Sequence, residues 1–145
     1  MLELGTGTGL ATAWLLDGMD AAARLITVDN DPAVVAIARR HLASDSRVQF
    51  HVMDAADLLP TLAGERVDLL FADTWAGKYT HLDAALRLLK PGGLYVIDDM
   101  LPQPNWPAGH DVKVAHLLAD LTARADLVVT QLVWASGVVV ATKRG

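Results

Sequence analysis

Short apolar runs, each ending on an aspartate or opening onto a glycine loop, alternate along the chain with stretches of helical period. This alternation constrains the fold more than any other feature, because strands repeatedly followed by helices predict a parallel sheet covered by those helices. Strands are expected at Met1–Leu4, Leu25–Val28, Val48–Val52, Val67–Ala72, Leu94–Ile97, Leu127–Trp134 and Val138–Thr142. Helices are expected over Leu10–Leu16, after an Asp31 cap with Pro32 at the first helical position, around Leu58–Leu62, over Tyr79–Leu89 and over Val112–Ala123. Pro91-Gly92-Gly93 reads as the stop of the fourth helix, and Ser136-Gly137 suits a tight antiparallel turn between the last two strands. Met100–Gly109 holds three of the six prolines and reads as a loop over the sheet.

With 145 residues, the chain encloses one sizeable core, so a single domain over residues 1–145 is expected. There is no cysteine, which excludes a disulfide framework, a thiolate zinc site, an iron–sulfur cluster and a thiol nucleophile. Charged or turn-forming residues break every apolar run well short of the ~20 residues of a membrane helix. Met1–Gly5 lacks the basic start of a signal peptide, and a cytoplasmic location follows as the expectation. The net charge of −5 argues against broad binding to nucleic acid or anionic membrane. Of the 17 acidic residues 15 are Asp, so the placement of each Asp carries the information.

In doubly wound sheets, ligands bind beyond the carboxyl ends of the strands. Here those ends read Gly5-Thr6-Gly7-Thr8-Gly9, Asp29-Asn30, Asp54-Ala55, Asp73-Thr74-Trp75 and Asp98-Asp99. One such Asp is ordinarily a helix cap, the expected role of Asp31 and Asp57. A row of them at successive strand ends points instead to a cation, a ligand's hydroxyl groups or a proton-transfer task. The glycine loop departs from the dinucleotide fingerprint, because Leu10 stands where its third glycine belongs. That weighs against a nicotinamide-dependent oxidoreductase.

Glu3, two residues before Gly5-Thr6-Gly7-Thr8-Gly9, completes a pattern that resembles the first motif of class I S-adenosylmethionine-dependent methyltransferases. The resemblance implies a Rossmann-like, mostly parallel seven-stranded α/β sheet of order 3-2-1-4-5-7-6, with the last strand antiparallel. It also implies a cofactor site: Glu3, Gly5, Thr6, Gly7 and Gly9 at the loop, Asp29 with Asn30 at the ribose, Asp54 and Ala55 at the adenine, and Asp73 and Trp75 at the methyl end. Downstream, Phe71-Ala72-Asp73, Tyr79, Leu88-Leu89-Lys90-Pro91-Gly92-Gly93 and Asp98-Asp99 look like the catechol and caffeoyl-CoA O-methyltransferase branch. That branch implies O-methylation of a small molecule, with Mg²⁺ held by Asp73, Asp98 and Asp99, the last an Asp where the branch has Asn.

A second departure concerns the base. The branch's lysine three residues after the strand-four Asp is Ala76 here, and Lys78 follows two residues later. Asp73, Lys78 and Asp99 are the catalytic candidates, while Trp106 and His110 are expected to line or close the pocket. Two other readings stand beside this one: a cofactor-binding domain with weak or no catalysis, and a methyltransferase acting on RNA or another macromolecule, against which the acidic balance argues. The branch implies a homodimer. Its members also carry helices before the first strand, so an open pocket lacking that N-terminal cover is expected.

Overall fold

A computed structural model describes the whole chain, residues 1–145. Seven strands, β1 (Leu2–Leu4), β2 (Leu25–Asp29), β3 (Val48–Val52), β4 (Val67–Ala72), β5 (Leu89–Ile97), β6 (Leu127–Leu132) and β7 (Val138–Lys143), form one sheet of order β3-β2-β1-β4-β5-β7-β6. The first five are parallel, and β7 runs antiparallel to both β5 and β6, as expected. Five helices alternate with them: α1 (Leu10–Gly18), α2 (Pro32–Leu42), α3 (Ala55–Thr61), α4 (Leu82–Leu88) and α5 (His110–Ala123). No helix is long and apolar enough to cross a membrane.

β1 has only three residues, yet it sits at the centre between β2 and β4, and Leu2, Glu3 and Leu4 are all fully buried. Residues alternate between the two faces of a strand, so this burial means that both faces are covered there. Leu2, Leu4, Leu70, Ala72, Tyr95 and Ile97 belong to the main hydrophobic cluster. Burying each large aliphatic side chain stabilises the fold by roughly 1.5–3 kcal/mol, which is how so short a strand holds the centre.

Several boundaries differ from the expectation, four of them for a clear local reason; α5 also opens two residues earlier, at His110, and α1 runs on to Gly18. The fourth helix starts at Leu82 rather than Tyr79, because the amides of Lys78, Tyr79 and Thr80 all turn back onto the Trp75 carbonyl and His81 then takes a left-handed φ of 57°. Pro91-Gly92-Gly93 does not precede the fifth strand but bulges within it: Leu89 pairs with Val67, and the register then jumps to Leu94 opposite Leu69. The third helix begins at Ala55, three residues earlier than expected, because the Asp54 side chain caps it by accepting from the Ala56 amide at 2.8 Å. The sixth strand ends at Leu132, since Ala135 and Gly137 adopt left-handed conformations and the Gly137 amide closes on the Trp134 carbonyl.

Candidate active site

The carboxyl ends of β1 to β5 converge as the topology demands. Between β1 and α1, the glycine loop takes positive φ at Gly5, Gly7 and Gly9. A Cβ on Gly9 would lie 2.9 Å from Ala38 Cβ, so the absence of a side chain there lets α1 approach α2 closely. The loop is anchored by Asp29, whose Oδ2 accepts from the Gly7 amide at 2.9 Å and whose Oδ1 accepts from the Asp31 amide at 3.0 Å.

Beneath the loop lies a buried polar network. Glu3 Oε2 accepts the hydroxyls of Thr12 and Thr27, each at 2.6 Å, and Thr6 in turn donates to Thr27 at 2.6 Å. Glu3 Oε1 has no partner. Burial pushes the Glu3 carboxyl up to about 7, the two threonine hydroxyls oppose this, and the charges of Asp73 and Asp29 add to it. Glu3 thus supports the loop from behind and does not line the cavity in front of it.

That cavity, about 300 Å³, is lined by Gly5, Asp29, Asn30, Asp54, Ala55 and Trp75 together with Val28, Thr74 and Ala76. Six of the residues expected at a cofactor therefore meet in one space; Thr6 is buried behind the loop, and Asp73 lies next door. Each Asp29 oxygen has accepted one amide, and a carboxylate oxygen has a second lone pair for a hydroxyl. Carboxylates facing an apolar wall suit a ribose and a purine, and this is the chemistry S-adenosylmethionine requires.

A second cavity of about 190 Å³ adjoins the first and shares Thr74 and Trp75 with it. Asp73, Lys78, Tyr79, Asp99, Trp106 and His110 line it. Its aromatic side is one packed group: Tyr79 OH lies 3.0 Å from His110 Nε2, and His110 contacts the rings of Trp75 and Trp106 with centroids 5.9 and 4.5 Å apart. Two buried polar atoms in this wall, Trp106 Nε1 and His110 Nδ1, have no partner. Burial, then the charge of Asp99, pushes the Tyr79 hydroxyl up to about 12, so it stays protonated.

Asp73 is open to solvent at the mouth of the cleft, but the surrounding protein, then Asp98 and Asp99, raise its carboxyl to about 6 against the opposing charge of Lys78. Lys78 reaches this site although its position along the chain is two residues too late. The turn on the Trp75 carbonyl draws the chain inward, and Gly77 makes it possible with a φ of 83°. A Cβ there would lie 2.3 Å from Leu4 Cδ1. The fully buried Tyr95 donates to the Gly77 carbonyl at 2.5 Å and pins the turn to the sheet. Lys78 is consequently only 4% exposed, with Nζ donating to the Asp98 carbonyl at 2.5 Å.

A divalent ion would need oxygens from Asp73, Asp98 and Asp99 on one point. No group of three or more His, Asp or Glu side chains is gathered in that way. Asp98 Oδ1 is taken by the Asp99 amide at 2.7 Å and by the Ser136 hydroxyl, which ties it to the β6–β7 turn. Asp99 itself stands at a left-handed φ of 58°. This donor arrangement does not fit the ion.

Trp106 and His110 line this cavity, as expected; what the sequence did not show is that His110 pairs with Tyr79 and that the two ring nitrogens are left without partners. Gly109, just before His110, takes a φ of 79°, and α5 opens on the histidine.

Comparison with known proteins agrees with this geometry. Residues 2–100 match the family model of a methyltransferase domain. A catechol O-methyltransferase of Niastella koreensis is 36% identical over 108 residues, covering 70% of this chain and 49% of its own length. The catechol O-methyltransferase of Mycobacterium tuberculosis is 34% identical over 105 residues, 70% of this chain and 48% of its own. The chain thus spans about half the length of the curated relatives it matches. The crystal structure of an O-methyltransferase from Streptomyces achromogenes involved in tomaymycin synthesis, in complex with S-adenosylmethionine, superposes with a TM-score of 0.82 at 28% identity over 99% of this chain and 72% of that one.

Proposed function

Because this chain belongs to the methyltransferase-domain family, we propose that it transfers the methyl group of S-adenosylmethionine to a hydroxyl oxygen of a small-molecule acceptor. The observation that carries the reading is the shared wall: Thr74 and Trp75 line both the carboxylate-rich cavity under the glycine loop and the aromatic cavity beside Asp73. Two ligands seated in these spaces meet at that wall.

Bound S-adenosylmethionine supplies an electrophilic methyl on a sulfonium centre. The protein's own contribution is placement and proton handling. Asp29 and Asp54 hold the nucleoside end, while Trp75 borders the place where donor and acceptor approach. Tyr79, Trp106 and His110 form the wall against which an acceptor ring packs. Orienting two reactants at near-attack distance supplies roughly 7–11 kcal/mol in well-aligned systems. As the oxygen–carbon bond forms and the sulfur–carbon bond breaks, the hydroxyl proton passes to Asp73, a carboxylate of the cavity lining with a raised affinity for it.

Calorimetry with S-adenosylhomocysteine tests the cofactor half. Asp29→Ala removes hydrogen bonds to a charged group, each contributing ~1.5–3 kcal/mol, so affinity falls about 10- to 100-fold. The acceptor half is tested by methyl transfer to a panel of phenols and catechols. Failure of the wild-type chain to bind S-adenosylhomocysteine, or an Asp29→Ala affinity equal to wild type, overturns the proposal.

A further inference from the structure

The geometry points to the Lys78 ammonium as the resident cation of the acceptor site: it stands among Asp73, Asp98 and Asp99 in the role a divalent ion has in the resembled branch, and it keeps such an ion out. This rests on the reading of the second cavity as the place of the acceptor.

Lys78 is 4% exposed, and an ammonium is buried to that degree only where its charge is compensated. No carboxylate forms a close ion pair with it; its one hydrogen bond goes to the Asp98 main-chain carbonyl. What offsets the burial is collective. Desolvation is the largest influence and lowers the ammonium's pKa, and the charges of Asp73, Asp99 and Asp98, in that order, each oppose it. One cation thus faces three anions whose side chains, with Lys78 in place, are not gathered on a single point as metal ligands are.

The chain builds this deliberately. Gly77 admits the left-handed turn against Leu4, and Tyr95 clamps the Gly77 carbonyl, so Lys78 has no freedom to swing out to solvent. The two departures in sequence are complementary: Asp99 adds a negative charge where the resembled branch has a neutral Asn, and Lys78 brings a buried positive one. Of the three N–H groups on the ammonium, one is used, leaving two for a ligand in the cavity that Lys78 lines with Asp73 and Asp99. In the proposed reaction these hold the acceptor oxygen while its proton goes to Asp73, and Lys78 keeps its own proton throughout. A Mg²⁺ or Mn²⁺ ion entering the same group of anions would meet the repulsion of a charge that cannot retreat into water.

Titration with Mn²⁺ followed by electron paramagnetic resonance tests this without any methyl transfer. Wild type and Lys78→Arg leave Mn²⁺ free up to millimolar concentration. Lys78→Ala gains a saturable site at least about tenfold tighter, since the like-charge repulsion is removed and the carboxylates, Asp73 first among them, are free to draw together on the ion. A second change, Asp73→Asn, abolishes that gained site. Far-UV circular dichroism confirms folding, and Lys78→Met, which keeps the buried stem, serves if the alanine variant does not fold. Asp73-dependent Mn²⁺ binding by wild type at submillimolar concentration overturns the inference, as does a folded Lys78→Ala or Lys78→Met protein that gains none. Loss of S-adenosylhomocysteine binding overturns the proposed function alone and leaves the Mn²⁺ result standing.

Discussion

Replacing Glu3 by Gln isolates the cost of a buried carboxylate at the centre of the sheet. In the folded chain this carboxyl is raised from 4.5 to about 7, chiefly by burial. The folded state therefore holds a proton that the unfolded state releases between those values. Stability from this group is complete below about pH 4.5 and is lost as pH rises through about 7. A separation of about 2.5 pH units corresponds to about 3 kcal/mol, of which about 2.5 kcal/mol falls between pH 5 and pH 8. Glu3→Gln keeps the oxygen that accepts from Thr12 and Thr27 and removes the titration. Its buried amide nitrogen has no acceptor in reach of the old Oε1, which adds an offset that does not vary with pH. Urea unfolding of both proteins from pH 5 to pH 8 checks this. With an m value of about 1–3 kcal/mol/M, the wild-type midpoint moves relative to the variant's by about 1–2 M across the range, downward as pH rises. A difference curve flat within about 0.5 kcal/mol would refute the assignment of this titration to Glu3.

Three further outcomes follow from named contacts. Gly77→Ala combines a left-handed φ with a Cβ 2.3 Å from Leu4 Cδ1, and a loss of roughly 2–4 kcal/mol is expected in thermal or urea unfolding. Tyr95→Phe leaves the Gly77 carbonyl without its buried donor, which lowers stability by about 1–3 kcal/mol and loosens the turn that carries Lys78, read as a fall in methyl-transfer rate larger than in cofactor affinity. With Asp73 raised to about 6 and needed as the carboxylate, the methyl-transfer rate falls as pH drops through about 6 and is flat above it; Asp73→Asn removes this limb. A pH–rate profile unchanged in the shape of its acid limb by that substitution would show that another group takes the proton.

All seven strands follow from local chemistry, while their order and the cofactor side of the site are what the resemblance to class I methyltransferases implies. Apolar runs ended by Asp, a glycine loop at the first turn and a Pro-led helix each act over a few residues, and the topology of alternating strands and helices then has few solutions. The placement of Gly5, Asp29, Asn30, Asp54 and Ala55 in one cavity is a consequence of parallel strands presenting their carboxyl ends on one side. The acceptor side is different in kind. Lys78 points inward because a turn closes on the Trp75 carbonyl, Gly77 fits against Leu4 and Tyr95 reaches back eighteen residues to hold it. Asp98 is drawn aside by Ser136 from thirty-eight residues away, and His110 meets Tyr79 across thirty-one. Such contacts depend on distant segments packing at a set distance, and no periodicity or spacing encodes them. The sequence by itself therefore determined the sheet and the nucleoside end of the cleft, whereas the identity of the cation facing the acceptor was decided only where the folded chain brought Lys78 in among the three aspartates.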